Sequence, residues 1–207
     1  MMALALTAEL MADRDAASTG SSLPVEADLV ARTKRGDDKA FAELVRMYQN
    51  RIFNFVLARI RQHQQAEDVT QEVLVKAYFS LSKLREPAKF KSWIFSIAHN
   101  HLRDMLRKRQ LDIADVEGSH IEHYVDPATP ENELRRRQSQ EAVWNALVKL
   151  KPEQREILVL CDIEGLSYRE IAEIMRVPLG TVQSRIFYAR RKLRGILSDE
   201  FAYKGEE

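Results

Sequence analysis

Residues Ser167 to Arg194 read SYREIAEIMRVPLGTVQSRIFYARRKLR, and this stretch predicts two helices separated by a tight turn. Ser167 and Glu170 have the spacing of a capping box, in which each side chain satisfies a backbone N–H at a helix start. The residue before a proline is pushed out of the α conformation, so Pro178 ends the first helix near Arg176. A capped helix, a turn and a second helix together predict a helix-turn-helix.

The second predicted helix has one apolar face and one polar face. Its apolar residues follow a helical period at Val182, Ile186, Ala189 and Leu193, and its free face holds Gly180, Ser184, Phe187, Tyr188 and Arg191. Between residues 176 and 198 there are six Lys or Arg and no Asp or Glu. This charge asymmetry favours a DNA-reading element over an ordinary helical hairpin with a solvated basic face.

Composition sets the class of protein before any motif is considered. With 207 residues, 45% hydrophobic residues, 30% charged residues and a net charge of +1, the chain fits one or two globular domains. Its single cysteine, Cys161, excludes an internal disulfide and fits a reducing compartment. No apolar run approaches the ~20 residues of a membrane span, and the apolar N-terminus lacks a basic region. We therefore expect a cytoplasmic protein.

The order of helical patterns predicts an all-α fold of two small helical domains joined by an acidic linker, the second domain containing the helix-turn-helix. Residues 111–134 contain seven acids and no Lys or Arg, together with Pro127 and Pro130, which is typical of a linker. The predicted organisation is a disordered tail over 1–23, a first domain over 24–110, the linker over 111–134, a second domain over 135–198, and a tail over 199–207.

Two helices of the first domain carry candidate surfaces. In the helix predicted from about Ala66 to Leu81, acids project away from the apolar stripe, and periodicity alone favours a solvated acidic face. From Lys83 to Arg109 there are eight Lys or Arg against two acids, with Phe90, Trp93 and Phe95 among them. This pattern suits either single-stranded nucleic acid or a core helix with solvated lysines, and the residues alone leave both open.

These blocks resemble the bacterial sigma factors of the extracytoplasmic-function (ECF) group. AEDVTQEVLVKAY (Ala66–Tyr78) is similar to the family's polymerase-binding helix, and FKSWIFSIAHNHLRDMLRK (Phe90–Lys108) to its promoter −10 element. LKPEQREILVLCDIEGLSYREIAEIMRVPLGTVQSRIFYARRKLR (Leu150–Arg194) is similar to its −35-reading domain. The resemblance covers about residues 24–197 and implies a transcription initiation factor, which binds RNA polymerase core, recognises the −10 and −35 elements and melts DNA.

The resemblance also implies roles for individual residues. Contacts to the polymerase clamp helices are expected from Asp68, Gln71 and Glu72, exposed and without intramolecular partners. Contacts to the −10 element are expected from Lys83, Arg85, Lys89, Lys91, Asn100, Arg103 and Arg107. Contacts to the −35 element are expected from Arg176, Thr181, Gln183, Ser184, Arg185, Phe187, Tyr188 and Arg191. Gln183, Ser184, Phe187 and Tyr188 are expected to read bases, and Arg176 and Arg191, with Arg190 and Lys192, to contact phosphates. Arg185 stays open between the two roles.

The implied partners are RNA polymerase core, promoter DNA and, as is common in this group, an anti-sigma factor. The chief alternative is a free-standing helix-turn-helix transcriptional regulator, which would need a dimerisation or ligand domain where this chain has an acidic helix beside a basic one. We expect no enzyme activity, no cofactor and no metal site. His120 and His123 in the linker, with His99, His101 and Cys161 elsewhere, do not have the usual spacing of metal ligands.

Overall fold

The computed structural model describes residues 23–112 and 143–203, and within these ranges the chain is helical and contains no strand. The N-terminal half holds four helices: α1 (Leu23–Lys34), α2 (Asp38–Ile60), α3 (His63–Ser80) and α4 (Phe90–Asp112). Two short 3-10 turns, Leu81–Lys83 and Pro87–Lys89, lie between α3 and α4. The all-α prediction is confirmed for the described residues.

The N-terminal helices begin and end where local chemistry favours it. Asp37 caps α2, because its side chain accepts hydrogen bonds from the backbone N–H groups of Lys39 and Ala40. At the other end, Arg61 adopts a left-handed conformation with φ 58°, and its N–H donates to the carbonyl of Leu57. This left-handed residue reverses the chain directly into α3.

The core of the N-terminal half forms between α2 and its neighbours. The predicted apolar stripe is buried, namely Ala66, Val69, Val73 and Ala77 on α3 and Leu81 in the 3-10 turn that follows it. Tyr48 and Phe55 of α2 meet Phe90 and Phe95 of α4 edge to face, with ring centroids 5.1 and 5.4 Å apart. Since Phe90 and Phe95 are fully buried, their rings stabilise the fold instead of stacking on bases, whereas Trp93 packs against the same core and is only partly buried.

The C-terminal half is built from shorter helices. Residues 143–148 are helical and form α5, followed by α6 (Pro152–Leu158), which continues as a π-helical segment over Val159–Ile163. Gly165 then takes a positive φ of 64°, which ends this segment. The helix-turn-helix follows as α7 (Tyr168–Met175) and α8 (Leu179–Tyr203).

The two halves also pack against each other, which the sequence patterns did not predict. Helix α2 contacts α6, and α4 contacts α7, so that the buried apolar residues of both halves belong to one cluster. The residues between 112 and 143 lie outside the described part of the chain, as do residues 1–22 and 204–207. Of the linker predicted over 111–134, only residues 111 and 112 are described, and they form the end of α4.

Candidate functional site

The outer face of α3 combines acidic, amide and apolar side chains. Asp68, Gln71 and Glu72 are exposed, as predicted. Val75 and Phe79 lie seven and eleven residues after Asp68, so they continue the same helical face. Both are strongly exposed, at 55% and 78%. Large apolar side chains are rarely left so open without a partner, and a contiguous exposed patch marks an interaction surface.

Glu72 has an intramolecular partner, so the expectation that it has none is wrong. Its carboxylate lies 3.0 Å from Nε2 of His101 on α4, and Lys76 contacts the other ring nitrogen of the same histidine. Burial lowers the pKa of His101, and the positive charge of Lys76 lowers it further, while Glu72 opposes both. At neutral pH the imidazole is therefore neutral and donates from Nε2 to Glu72.

The basic residues before α4 differ in their surroundings. Lys83 and Arg85 are exposed, and Lys89 is exposed but pairs with Glu86 at 3.0 Å. Lys91 is half-buried, and burial lowers its pKa, as does the charge of Arg51. The predicted basic patch is therefore open to a ligand at Lys83, Arg85 and Lys89, and partly covered at Lys91.

Further along α4, the predicted −10 residues share one helical face. Asn100, Arg103 and Arg107 are spaced three and seven residues apart, and both arginines are exposed. Asn100 is half-buried, and its Oδ1 atom is shielded from solvent without a hydrogen-bond partner among the described residues. His99, in contrast, is buried and bonds through Nδ1 to Glu156 at 2.6 Å, so it faces the C-terminal helices instead of DNA.

The helix-turn-helix has the local structure that its sequence predicts. The backbone N–H of Ser167 donates to the carboxylate of Glu170 at 2.9 Å, and the N–H of Glu170 donates to the Ser167 hydroxyl at 3.3 Å. Arg176 ends α7 in a left-handed conformation with φ 55°. The predicted capping box and the predicted turn are both confirmed.

Most of the predicted −35 residues form one exposed surface. Val182, Ile186, Ala189 and Leu193 are buried and anchor α8 to the rest of the half. Phe187 and Tyr188 are 62% and 60% exposed, with their rings 5.5 Å apart. The exposed predicted residues are Arg176, Gln183, Ser184, Arg185, Phe187, Tyr188 and Arg191, whereas Thr181 is half-buried. Aromatic, amide and basic side chains on a free helix face match the chemistry of a major-groove reader.

Arg190 was expected to contact phosphate, but in the structure it is paired with an acidic residue of the same chain. Its guanidinium bonds to Asp162 at 2.6 Å and lies 3.5 Å from the Cys161 sulfur. The side chain of Arg190 is 14% exposed and that of Asp162 is 4% exposed. Hydrogen bonding to Asp162 and its negative charge raise the pKa of Arg190 in spite of burial. Arg190 therefore joins α8 to the π-helical segment.

Cys161 and the histidines are the remaining candidates for a reactive or metal-binding site. Burial raises the pKa of Cys161 to about 12, so its thiol stays protonated and unreactive at neutral pH. Residues 23–112 and 143–203 hold no group of three His, Cys, Asp or Glu suited to a metal ion. His120 and His123 lie outside these ranges. Nor does any helix in the same ranges have the length and apolar character to cross a membrane.

Comparison with known proteins decides between the sigma factor and the free-standing regulator. Sigma-70 region 2 matches residues 44–111, and Sigma-70 region 4 matches residues 140–193. The RNA polymerase sigma-H factor of Pseudomonas aeruginosa is 36% identical over 173 residues, which cover 80% of this chain and 90% of that protein. The ECF RNA polymerase sigma-E factor of Haemophilus influenzae is also 36% identical over 173 residues, covering 80% and 91%. This chain belongs to the ECF sigma factors.

Solved structures agree with this family. The sigma factor RpoE of Bartonella quintana, solved with the anti-sigma factor NepR, has a TM-score of 0.60 and 28% identity, covering 77% of this chain and 98% of its own. As an ECF sigma factor, the chain binds RNA polymerase core, directs it to the −10 and −35 promoter elements and takes part in DNA melting. Sigma factors are initiation factors and not enzymes. The free-standing regulator is not favoured, because both sigma regions are present in order.

Sequence reasoning missed several residues of these surfaces. Val75 and Phe79 could have been found, because they fall off the buried stripe of α3 and align with Asp68. The partners of His99 and His101 could not, because the contacts with Glu156 and Glu72 span 57 and 29 residues of sequence respectively. Neither contact leaves a local periodic signal.

Proposed function

We propose that the exposed face of α3 binds the clamp helices of RNA polymerase core. Asp68, Gln71 and Glu72 supply charge and hydrogen bonding, and Val75 and Phe79 supply apolar area that binding removes from water. The observation that carries this proposal is the 78% exposure of Phe79 in line with the acidic residues. Large aromatic side chains such as that of Phe79 are enriched at protein interfaces.

The −10 element is assigned to α4 and the turns before it. Lys83, Arg85, Lys89, Arg103 and Arg107 are exposed cations suited to phosphates. Asn100 lies on the same face as the two arginines and has an unpaired amide oxygen, which supports a contact with an extruded base once the DNA is melted. Lys91 is half-buried, so it would contact DNA only if this part of α4 became more exposed.

The −35 element is assigned to α8, entering the major groove with its N-terminal part at the base edges. Gln183 can pair with adenine through two hydrogen bonds, Ser184 can donate or accept, and Phe187 can pack on a thymine methyl group. Arg176 and Arg191 are exposed and suited to phosphates, and the exposed Arg185 is suited to either a phosphate or a base. Arg190 is left out of this set because it is paired with Asp162.

The division between base and phosphate contacts on α8 is tested by a matched pair of variants. Gln183→Ala should relax preference at one −35 position by about 1–3 kcal/mol, the usual scale of one base contact. Arg191→Ala should weaken all promoters similarly and reduce the salt slope by about one. The measurement is holoenzyme binding to a −35 panel at several salt concentrations. If the two variants exchange these behaviours, α8 enters the groove with a different face.

The partners follow from the same surfaces. RNA polymerase acts on chromosomal DNA, so the proposed place of action is the cytoplasm. The structural relative from Bartonella quintana was solved with an anti-sigma factor. We therefore propose that an anti-sigma factor covers the α3 or α8 surface of this chain. Affinity purification from uninduced native cells should recover one, whereas repeated recovery of the chain alone would indicate control by synthesis.

A further inference from the structure

The imidazole of His101 on α4 lies between an acidic and a basic side chain of α3. Its Nε2 atom is 3.0 Å from the carboxylate of Glu72, and its Nδ1 atom contacts the ammonium group of Lys76. A neutral imidazole has one N–H and one nitrogen that accepts, so Nε2 donates to Glu72 while Nδ1 accepts from Lys76. One side chain of α4 therefore satisfies two oppositely charged groups of the neighbouring helix.

Glu72 is held by this contact but stays open to a partner. Its side chain is 59% exposed, whereas that of His101 is 13% exposed. In the contact between His99 and Glu156, by comparison, both side chains are buried, so that pair contributes to the fold and not to a surface. A carboxylate accepts at two oxygens, and His101 takes Oε2 of Glu72, which leaves Oε1 for a donor from another protein.

Lys76 is a natural competitor for the same carboxylate. It follows Glu72 by four residues on α3, and a glutamate four residues before a lysine is the favourable order for an ion pair on a helix surface. Such a pair would place a cation of the same chain on Glu72, and a binding partner would have to displace it. By accepting from Lys76, His101 holds that ammonium group at its own ring nitrogen instead.

These side chains stand at the edge of the α3 face assigned to core binding. At about 100° per residue, Glu72 lies about 40° around the helix from Asp68, and Lys76 lies about 40° further in the same direction. The contact with His101 shows that this direction leads toward α4. His101 therefore reaches the edge of the face from the neighbouring helix, next to the acid that the face presents.

From this geometry we propose that His101 is a positioning residue for core binding, which fixes the carboxylate of Glu72 and withholds Lys76 from it. This role rests on the function proposed above, in which Glu72 contacts the clamp helices of RNA polymerase core. A side chain that is already ordered loses less conformational entropy when its partner binds. An acid without a competing cation also needs no displacement, so both effects of His101 strengthen binding.

The hydrogen bonds of His101 can be checked without polymerase. Burial lowers the pKa of His101, as do the positive charges of Lys76 and Lys108, while Glu72 and Asp104 raise it. At pH 7.5 the ring is therefore neutral, and nitrogen-15 nuclear magnetic resonance of the full-length chain should find its proton on Nε2. A proton on Nδ1 would mean that His101 does not donate to Glu72, and would overturn the positioning role.

Two replacements of His101 separate its hydrogen bonds from its packing. In His101→Gln the amide can donate to Glu72 and accept from Lys76, so both contacts are kept. His101→Leu keeps an apolar side chain and removes both contacts. The matched control is His63→Leu, because His63 on α3 also lies beside a glutamate, 3.6 Å from Glu67, but about 140° around the helix from Asp68.

The measurement is the dissociation constant of each full-length chain for RNA polymerase core at pH 7.5 and fixed salt. His101→Leu should weaken binding about fivefold, through the lost ordering of Glu72 and the competition from Lys76. His101→Gln and His63→Leu should stay within about twofold of the original chain. In a Lys76→Ala background the loss caused by His101→Leu should be about half as large, because the competing cation is gone.

The same loss in both backgrounds would make His101 a structural residue only. Unchanged binding by His101→Leu, or a loss with His101→Gln as large as with His101→Leu, would also overturn the positioning role. If His101→Leu loses its helical circular-dichroism signal, His101→Met is judged by the same criteria. Asp68→Lys with Glu72→Lys tests the function itself: normal core binding by that variant would contradict the α3 assignment. Its loss of binding beside an unaffected His101→Leu would overturn the role of His101 alone.

Discussion

Arg190 and Arg191 are adjacent on α8 but have opposite surroundings. Arg190 is 14% exposed and bonds to the buried carboxylate of Asp162, whereas Arg191 projects into solvent. From the sequence, both arginines are expected to contact phosphates, because a run of basic residues does not show which of them have an acidic partner elsewhere in the fold. The difference between them lies in a contact 28 residues away in sequence.

Removing each of these arginines should affect stability differently. Arg190→Ala leaves the Asp162 carboxylate buried without its cation and should lower the free energy of unfolding by about 1–3 kcal/mol. Arg191→Ala should change it by less than about 0.5 kcal/mol, as for most surface substitutions. Urea unfolding followed by circular dichroism measures both. Equal losses would mean that the Arg190–Asp162 pair does not stabilise the fold.

His101 allows a second test at the residue scale. Its ordinary pKa of 6.5 is lowered by burial and by Lys76 and raised by Glu72. Nuclear magnetic resonance should therefore find its midpoint below 6.5. Lys76→Ala should move the midpoint up and Glu72→Gln should move it down. Shifts in the reverse directions would contradict the contacts between α3 and α4.

The sign of this shift fixes its effect on stability. The unfolded chain binds a proton at His101 more readily than the folded chain does, so this group stabilises the fold most above about pH 6.5. That contribution is lost as the pH falls through the folded pKa. A chain with His101→Gln should lose less stability between pH 7.5 and pH 5 than the original chain, measured by urea unfolding.

At the scale of elements, helix boundaries followed from local chemistry. The capping box at Ser167 and the stop before Pro178 depend on neighbouring residues, so sequence predicted them. The π-helical segment Val159–Ile163 was not predicted, since nothing in its residues distinguishes it from a continued α-helix. The sequence does not decide whether the aromatic residues of α4 are buried or free to contact bases, because their burial depends on which neighbouring helix covers them.

The capping box at the start of α7 has a measurable contribution. Ser167→Ala removes the hydroxyl that accepts from the Glu170 N–H and should lower the free energy of unfolding by about 1 kcal/mol. Ser198→Ala, an exposed serine inside α8, is the matched control and should change it by less than about 0.5 kcal/mol. Equal effects in urea unfolding would show that the cap does not stabilise the helix-turn-helix.

At the scale of the whole molecule, sequence predicted the fold class but not how the halves meet. Arg51 and Glu164 are 113 residues apart, and Arg155 and Ala58 are 97 apart. Periodicity and motif spacing describe only residues that are close in sequence. Arg155 in particular is a charged residue beside other polar ones in sequence, yet it is fully buried where the carboxyl ends of two helices meet.

The central claim is that this ECF sigma factor directs transcription through the α3 face. The most direct measurement is run-off transcription from a promoter library with RNA polymerase core, followed by sequencing of the transcripts. Asp68→Lys with Glu72→Lys reverses two acids on that face, and Asp28→Lys with Glu43→Lys reverses two exposed acids on α1 and α2, away from it. The original chain and the control should give transcripts that share a −10 and a −35 sequence. The α3-face variant should give none while keeping its helical circular-dichroism signal. Equal transcription by that variant, or none by the original chain, would contradict the claim.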